Sequence, residues 1–446
     1  VKIYYENGKV EREVTYKDGD LEGVAKNYDE NGKLFLETIY KNGKREGVAK
    51  RYYTNENLER EETYKNDVLD GATNVYYENG KLQFEAMYKN NILDGFFKEY
   101  DESGKLQREF LHKNGKLDGV RKEYYPNGNL KEEVTCKDNI LDGPAKIYYE
   151  NGNLEREETY KNEKLDGIRK RYYLNGRLER EEVYKNDVLD GPVKIYYENG
   201  NLEKEITYKN EKVDGVAKKY YPNGNLQCEE MYKNDVLDGF EISYYESGKV
   251  KTRIFHKNGK LQGEGLSFYE SSKLMEKGYY KDGILDGQYI MYYEDGKLQE
   301  VYNYIAGILN GEYKLYYENG KLQENGNYID NNLEGKVSMY YESGKLEWEY
   351  NYIKGKLEGE YKNYYENGKL KRTGNYKNGL LEGEAVFYLE GGQIGEKASF
   401  LNGKEEGDHL YYDKTGKLIK KEVYSNGNLL STEEFQKVEE DNDKGN

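Results

Sequence analysis

The chain has few of the residues that staple or restructure other folds: two cysteines, four prolines, three histidines and one tryptophan among 446 residues. Two cysteines cannot make a disulfide scaffold. No run of 18 apolar residues occurs, so no helix of this sequence spans a membrane. Basic excess is also missing. With 69 Lys and Arg against 85 Asp and Glu, the formal charge is −16, which opposes nucleic acid and anionic lipid as general partners. Leu, Ile, Val and Phe make up only about a fifth of the chain, at the edge of the composition expected for disorder. What is present argues the other way. The 52 tyrosines and 50 glycines supply amphipathic aromatic surface to bury and residues to make turns.

The organisation is a repeat. Tyr4 begins YYENGK, and the same phase returns every 24 residues to Tyr412, with no insertion or deletion. With that Tyr as position 1, it is Tyr in 17 of 18 copies and Phe268 in the other. Position 5 is Gly except at Glu56 and Ser272, and position 20 is Gly in every copy from Gly23 to Gly407. Position 13 is Tyr except at His112, Cys136, His256 and Phe400. A phase this strict describes one array, against the prior of about three domains for this length.

Each repeat reads as a β-hairpin. In AKIYYENGNLEREETYK (145–161), two strand-like runs flank Asn151-Gly152, a strong hairpin signal. A two-residue type I′ turn there places Tyr149 opposite Leu154 and Lys146 opposite Glu157. The second connection, 161–167, is longer and ends in Gly. Glycine recurs too often for helices. Alternation then puts positions 2, 7, 9, 11, 13, 22 and 24 on a packed face. The opposite face carries Tyr148, Lys146, Glu155, Glu157 and Thr159, a charged surface crossed by a row of Tyr rings. The expected fold is all-β with no helical domain: an elongated, solenoid-like array of tandem antiparallel hairpins in one continuous twisted sheet. At about 9.6 Å per hairpin it reaches on the order of 165 Å.

Two sub-arrays are expected within that sheet, 1–262 with EETYK and LDG strings and 263–435 with GNY strings. A final hairpin is expected from 418–424 and 429–435, with a helix starting at Ser431 as the competing reading. The charged remainder, 436–446, reads as a disordered tail.

The unit YYENGKLxxxxxYKNGxLDG resembles the bacterial variant of the MORN (membrane occupation and recognition nexus) repeat, over residues 1–435. The resemblance implies stacked hairpins and a non-catalytic module for protein association. Some relatives are proposed to bind lipid, and some bacterial ones carry an antitoxin label. The common form favours YxGxW strands, whereas this chain has only Trp348.

No catalytic constellation is visible, and no cofactor or metal is expected. His112 and Cys136 share a column in adjacent repeats, about 10 Å apart, beyond the reach of a nucleophile–base pair. His112 and His256 lie six repeats apart, too far to share a metal, and Cys136 and Cys228 are too far apart to pair. The Asp of each LDG, such as Asp70, Asp94 and Asp142, lacks the ligand-rich loop calcium needs and reads as a turn former. The NGK and GKL strings lack P-loop spacing.

The expected function is therefore a non-enzymatic, multivalent scaffold for protein–protein interaction, adhesive at a bacterial surface or secreted. The outward Tyr124, Tyr148, Tyr172 and Tyr196 are the candidate contacts, and Trp348 is either core or a hot spot. The alternatives are an intracellular antitoxin-like or regulatory binder and a lipid-binding repeat protein. A protein or glycan partner is expected, as is self-association through terminal edge strands; nucleic acid is not, and lipid is disfavoured by charge. Because Val1 opens mid-repeat without Met, a leader or further repeats could precede it. Export is the expected destination, with the cytoplasm as the alternative.

Overall fold

The computed structural model describes residues 1–435; the expected tail at 436–446 lies outside the described residues. Every regular element described is a β-strand. Of 49 strands, 47 belong to one antiparallel sheet, and Tyr16–Lys17 pairs with Asp20–Leu21 as a separate ribbon. The chain divides into two compact units, Val1–Gly224 and Asn225–Asn446. Each is built the same way, strand pairing with the strand before and after it. The compositional change near residue 262 falls inside the second unit.

In the first unit the repeat at Tyr148 shows how the sequence sets the geometry. Strand Ile140–Tyr148 pairs with Leu154–Lys161, and Lys146 faces Glu157 as the alternation predicts. The register then slips between Ile147 and Tyr148, so Tyr148 rather than Tyr149 faces Leu154. The cause is the turn. The Gly152 N–H donates to the Tyr149 carbonyl and the Tyr149 N–H to the Asn153 carbonyl, each at 2.8 Å. Gly152 has φ +90°, whereas Asn151 is not among the residues with positive φ. This is a type I turn closed by a glycine bulge, not the expected type I′, which requires positive φ at both central residues.

The type I′ geometry sits instead at the second connection. Asn162 and Glu163 have φ 50° and 66° between the paired Lys161 and Lys164. After Lys164–Leu165 the chain bulges at Asp166, whose N–H donates to the Thr159 carbonyl at 2.9 Å. It resumes pairing at Gly167–Tyr172. The bulge explains the column of Gly at position 20. Gly191 has φ +148°, and a Cβ there would stand 2.7 Å from the Val183 Cβ, closer than real atoms approach.

The packed face follows the alternation. Its most buried columns are positions 11 and 22, which face each other across each pairing, as with Val193 and Ile206. Ala25, Val134, Ala145 and Val193 are buried there in the first unit, and Tyr313, Val337, Ala398 and His409 in the second. Val134, Cys136 and Ala145 form a small core with Leu117, Leu141 and Tyr160 around it. In the second unit aromatic rings take over this role. Tyr302 stacks on Tyr313 at 5.9 Å and Trp348 on Tyr350 at 5.3 Å, centroid to centroid. At the end of the described chain, Leu418–Ser425 pairs with Asn428–Glu434, so the residues from Ser431 continue a strand.

Neighbouring repeats are tied by a second set of bonds. The position-2 tyrosine hydroxyl donates to the position-1 carbonyl of the next repeat. Tyr125 bonds Tyr148, Tyr149 bonds Tyr172 and Tyr197 bonds Tyr220, each at 2.8 Å. The same bond recurs in the second unit from Tyr317 to Tyr340 and from Tyr365 to Tyr388, at 2.7 Å. Each satisfies a carbonyl at the point where the bulge interrupts the ladder.

Candidate interaction surface

The face opposite the packed columns carries positions 1, 8, 10, 12, 21 and 23. Tyr124, Tyr148, Tyr172 and Tyr196 all occupy position 1 there and are half-buried. Two of the hydroxyls, those of Tyr124 and Tyr172, are directed by the preceding repeat. Tyr124 donates to Glu109 at 2.9 Å, and Tyr172 to Glu157 at 3.0 Å. The same carboxylates meet a lysine at position 23. Lys122 lies 3.5 Å from Glu109, and Lys146 lies 3.6 Å from Glu157. Each such exposed ion pair contributes about 0–1 kcal/mol. Its consequence is geometric: Glu109 joins Tyr124 and Lys122 of the following strand, and Glu157 joins Tyr172 of the following strand to Lys146 of the preceding one.

Burial raises the phenols first and the Glu partners raise them further, because ionisation would place two anions together. Tyr124 and Tyr172 are pushed up to about 12. Tyr196 is raised by burial and by the charge of Glu181. Tyr124 and Tyr172 therefore present neutral, oriented rings at physiological pH.

Trp348 is placed elsewhere. It stacks between Tyr350 and Tyr361, 5.3 and 6.4 Å away, in the aromatic stripe of the packed face. It is not brought together with the outward row. Sequence reading missed the exposed apolar pairs beside that row. Phe96 faces Leu111, and Phe240 meets Phe255 edge-on at 5.1 Å, with Phe96, Leu111 and Phe240 exposed. Their signal was available: bulky apolar residues at positions 21 and 12, which most repeats fill with smaller or polar ones.

The residues weighed for chemistry are absorbed by packing. Cys136 is buried, its thiol pushed up by burial, and neither cysteine is in a disulfide. His112 meets Phe110 edge-on and is lowered by burial. His256 lies 2.9 Å from Glu241, and His409 is buried between Phe400 and Tyr424. Asp94 accepts the Asn114 N–H of the next repeat at 3.2 Å, a turn contact. Among the described residues no group of three His, Cys, Asp or Glu could hold a metal.

With this geometry in view, comparison with known families is decisive. The profile of the MORN repeat variant matches 17 consecutive or near-consecutive segments, from 1–18 through 357–378 and again at 405–426. The chain belongs to the MORN repeat variant family. The matched segments follow the hairpins one for one, and the repeat between 378 and 405 is the one the profile passes over. No curated protein matches this MORN array. Among solved structures it is similar to crystal structures of TcdB2-TccC3-Cdc42 and of TcdB2-TccC3, each at 11% identity, with TM-scores of 0.15 and 0.14. Each comparison covers 95% of this chain and 32% of the other. A Photorhabdus luminescens Tc holotoxin pore compares at 11% identity and TM-score 0.16, covering 94% and 29%. The MORN array thus spans about a third of those chains, and a likeness at such scores carries no weight for function.

Proposed function

We propose that this MORN array is a non-catalytic binding scaffold that engages a protein partner through its outward tyrosine row, at the bacterial surface after export. The observation that supports this reading is the column of half-buried outward tyrosines, of which Tyr124 and Tyr172 are held by Glu109 and Glu157 before any partner arrives. A pre-ordered aromatic ring gives up little side-chain entropy on binding, and many weak equivalent contacts sum to avidity. Exposed Phe96 and Leu111 beside the row add apolar contact area.

The test is affinity capture of bacterial surface proteins on the immobilised full chain, with captured proteins identified by mass spectrometry. Changing Tyr124, Tyr148, Tyr172 and Tyr196 together to Ser should abolish capture of a partner the native chain retains, while circular dichroism stays unchanged. Undiminished capture by a folded variant would remove the tyrosine row from the proposal.

A further inference from the structure

The second unit contains an open-sided cavity of about 180 Å³ on its packed face, whose lining includes Tyr361, Arg372, Ala385, Phe387, Glu396, Ala398 and Phe400, with Arg372 over the Phe387 ring. It lies in the repeat that the family profile passes over, between 378 and 405. Comparing columns explains what has been lost there. Three repeats earlier, Tyr313 occupies position 22 and faces Gly326 at position 11. A Cβ on Gly326 would stand 2.6 Å from the Tyr313 ring, so the ring lies directly over that glycine. The Tyr313 hydroxyl donates to Glu324, at position 9.

In the cavity repeat the same three positions are Ala385, Ala398 and Glu396. Ala385 faces Ala398, and Glu396 faces Phe387, in the pairing that Tyr313, Gly326 and Glu324 use. The ring is gone, but the small floor beneath it and the carboxylate that would receive its hydroxyl both remain. Another small pair, Gly265 facing Gly278, shows the alternative outcome. There the Tyr280 ring folds over both glycines, within 3.2 Å of where each Cβ would be, and fills the space. At the cavity, position 13 is Phe400, whose ring turns toward His409 at 5.8 Å and leaves the space open. Among the described residues Glu396 makes no side-chain hydrogen bond or ion pair, so its carboxylate is available.

We infer that this cavity binds a para-hydroxyphenyl group, with the ring against Tyr361, Phe387 and Phe400 and the hydroxyl donating to Glu396. The volume is enough for one aromatic ring, which needs about 150 Å³, and the open side and the charged lining suit a ring that carries a polar group. A hydroxyl donated to a carboxylate is among the stronger hydrogen bonds, which sets the preference for a phenol over a bare ring. The site uses none of the outward tyrosines and stands independently of that proposal.

The experiment titrates the full chain with p-cresol, toluene and N-acetyl-tyrosinamide, followed by calorimetry and ligand-observed NMR. Saturable binding of p-cresol is expected, with toluene weaker by on the order of tenfold. Glu396→Ala should remove that preference while toluene still binds. Ala385→Tyr restores the ring found at Tyr313 and should abolish binding of both. Ala398→Ile, using a residue found in that column at Ile206 and Ile254, gives a second filled variant should the first not fold. N-acetyl-tyrosinamide binding as tightly as p-cresol would point to a tyrosine side chain on a polypeptide, and binding of p-cresol alone to a free phenol. Absence of saturable p-cresol binding by the native chain, or native-like binding by a folded filled variant, would overturn the inference.

Discussion

At the scale of single residues, tyrosine performs three different tasks that its abundance alone does not distinguish. At position 1 it is outward and, as at Tyr124 and Tyr172, can bond Glu; at position 2 its hydroxyl caps the next repeat; at position 13 it packs. The position-2 bond makes a specific prediction. Tyr149→Phe keeps the ring but removes the donor to the Tyr172 carbonyl, and should destabilise the array by about 1 kcal/mol in urea unfolding. Glycine offers an internal comparison. Gly191→Ala meets both an adverse φ and the Val183 side chain and should lose about 2–4 kcal/mol. Gly335, with φ +80° and nothing within 4 Å, meets only the backbone penalty, and Gly335→Ala should lose about 1 kcal/mol in the same assay. Equal losses at the two sites would contradict the crowding seen at Gly191.

At the scale of the hairpin, the Asn-Gly turn is not the type I′ turn the sequence suggested, and type I′ geometry sits instead at the second connection. Asn151-Gly152 is compatible with type I′ and also with a type I turn plus glycine bulge. The choice depends on twist and on the slip at Tyr148, neither of which is written in the dipeptide. Conversely, Glu163 gives no local hint that it will take positive φ. It does so because the pairing of Lys161 with Lys164 leaves only two residues to reverse the chain. Glu163→Gly should therefore stabilise the protein by about 0.5 kcal/mol, the left-handed penalty outweighing the added chain entropy. A destabilised variant in thermal unfolding would argue against strain at this turn. The alternation of faces, by contrast, was legible, because strand period fixes columns 11 and 22 on one side whatever the turn does. The ties between repeats and the cavity at Ala385 were not, since both depend on which side chains of different repeats come together in space.

At the scale of the whole molecule, stability is shared among many equivalent neighbour contacts. The phenols give this a pH signature. Tyr100, Tyr124, Tyr160 and Tyr172 are raised from 10.0 to about 12 in the fold. Below pH about 10 both folded and unfolded phenols are protonated, and the stabilisation is complete. Between about 10 and 12 the unfolded chain releases protons the folded chain retains, so stability falls as pH rises. The last part of the tyrosinate absorbance change should therefore coincide with the loss of circular dichroism across that window. Complete ionisation well before unfolding would mean that these four phenols are not held as described.

The outward phenols of position 1 carry the functional proposal, and their number offers its most direct test. The measurement is the off-rate of the captured surface partner from the full chain as Tyr124, Tyr148, Tyr172 and Tyr196 are replaced by Ser, one at a time and then together. A multivalent row predicts small effects singly and a loss of more than a hundredfold for the quadruple variant. An off-rate unchanged when all four are replaced, in a chain that remains folded, would contradict the account.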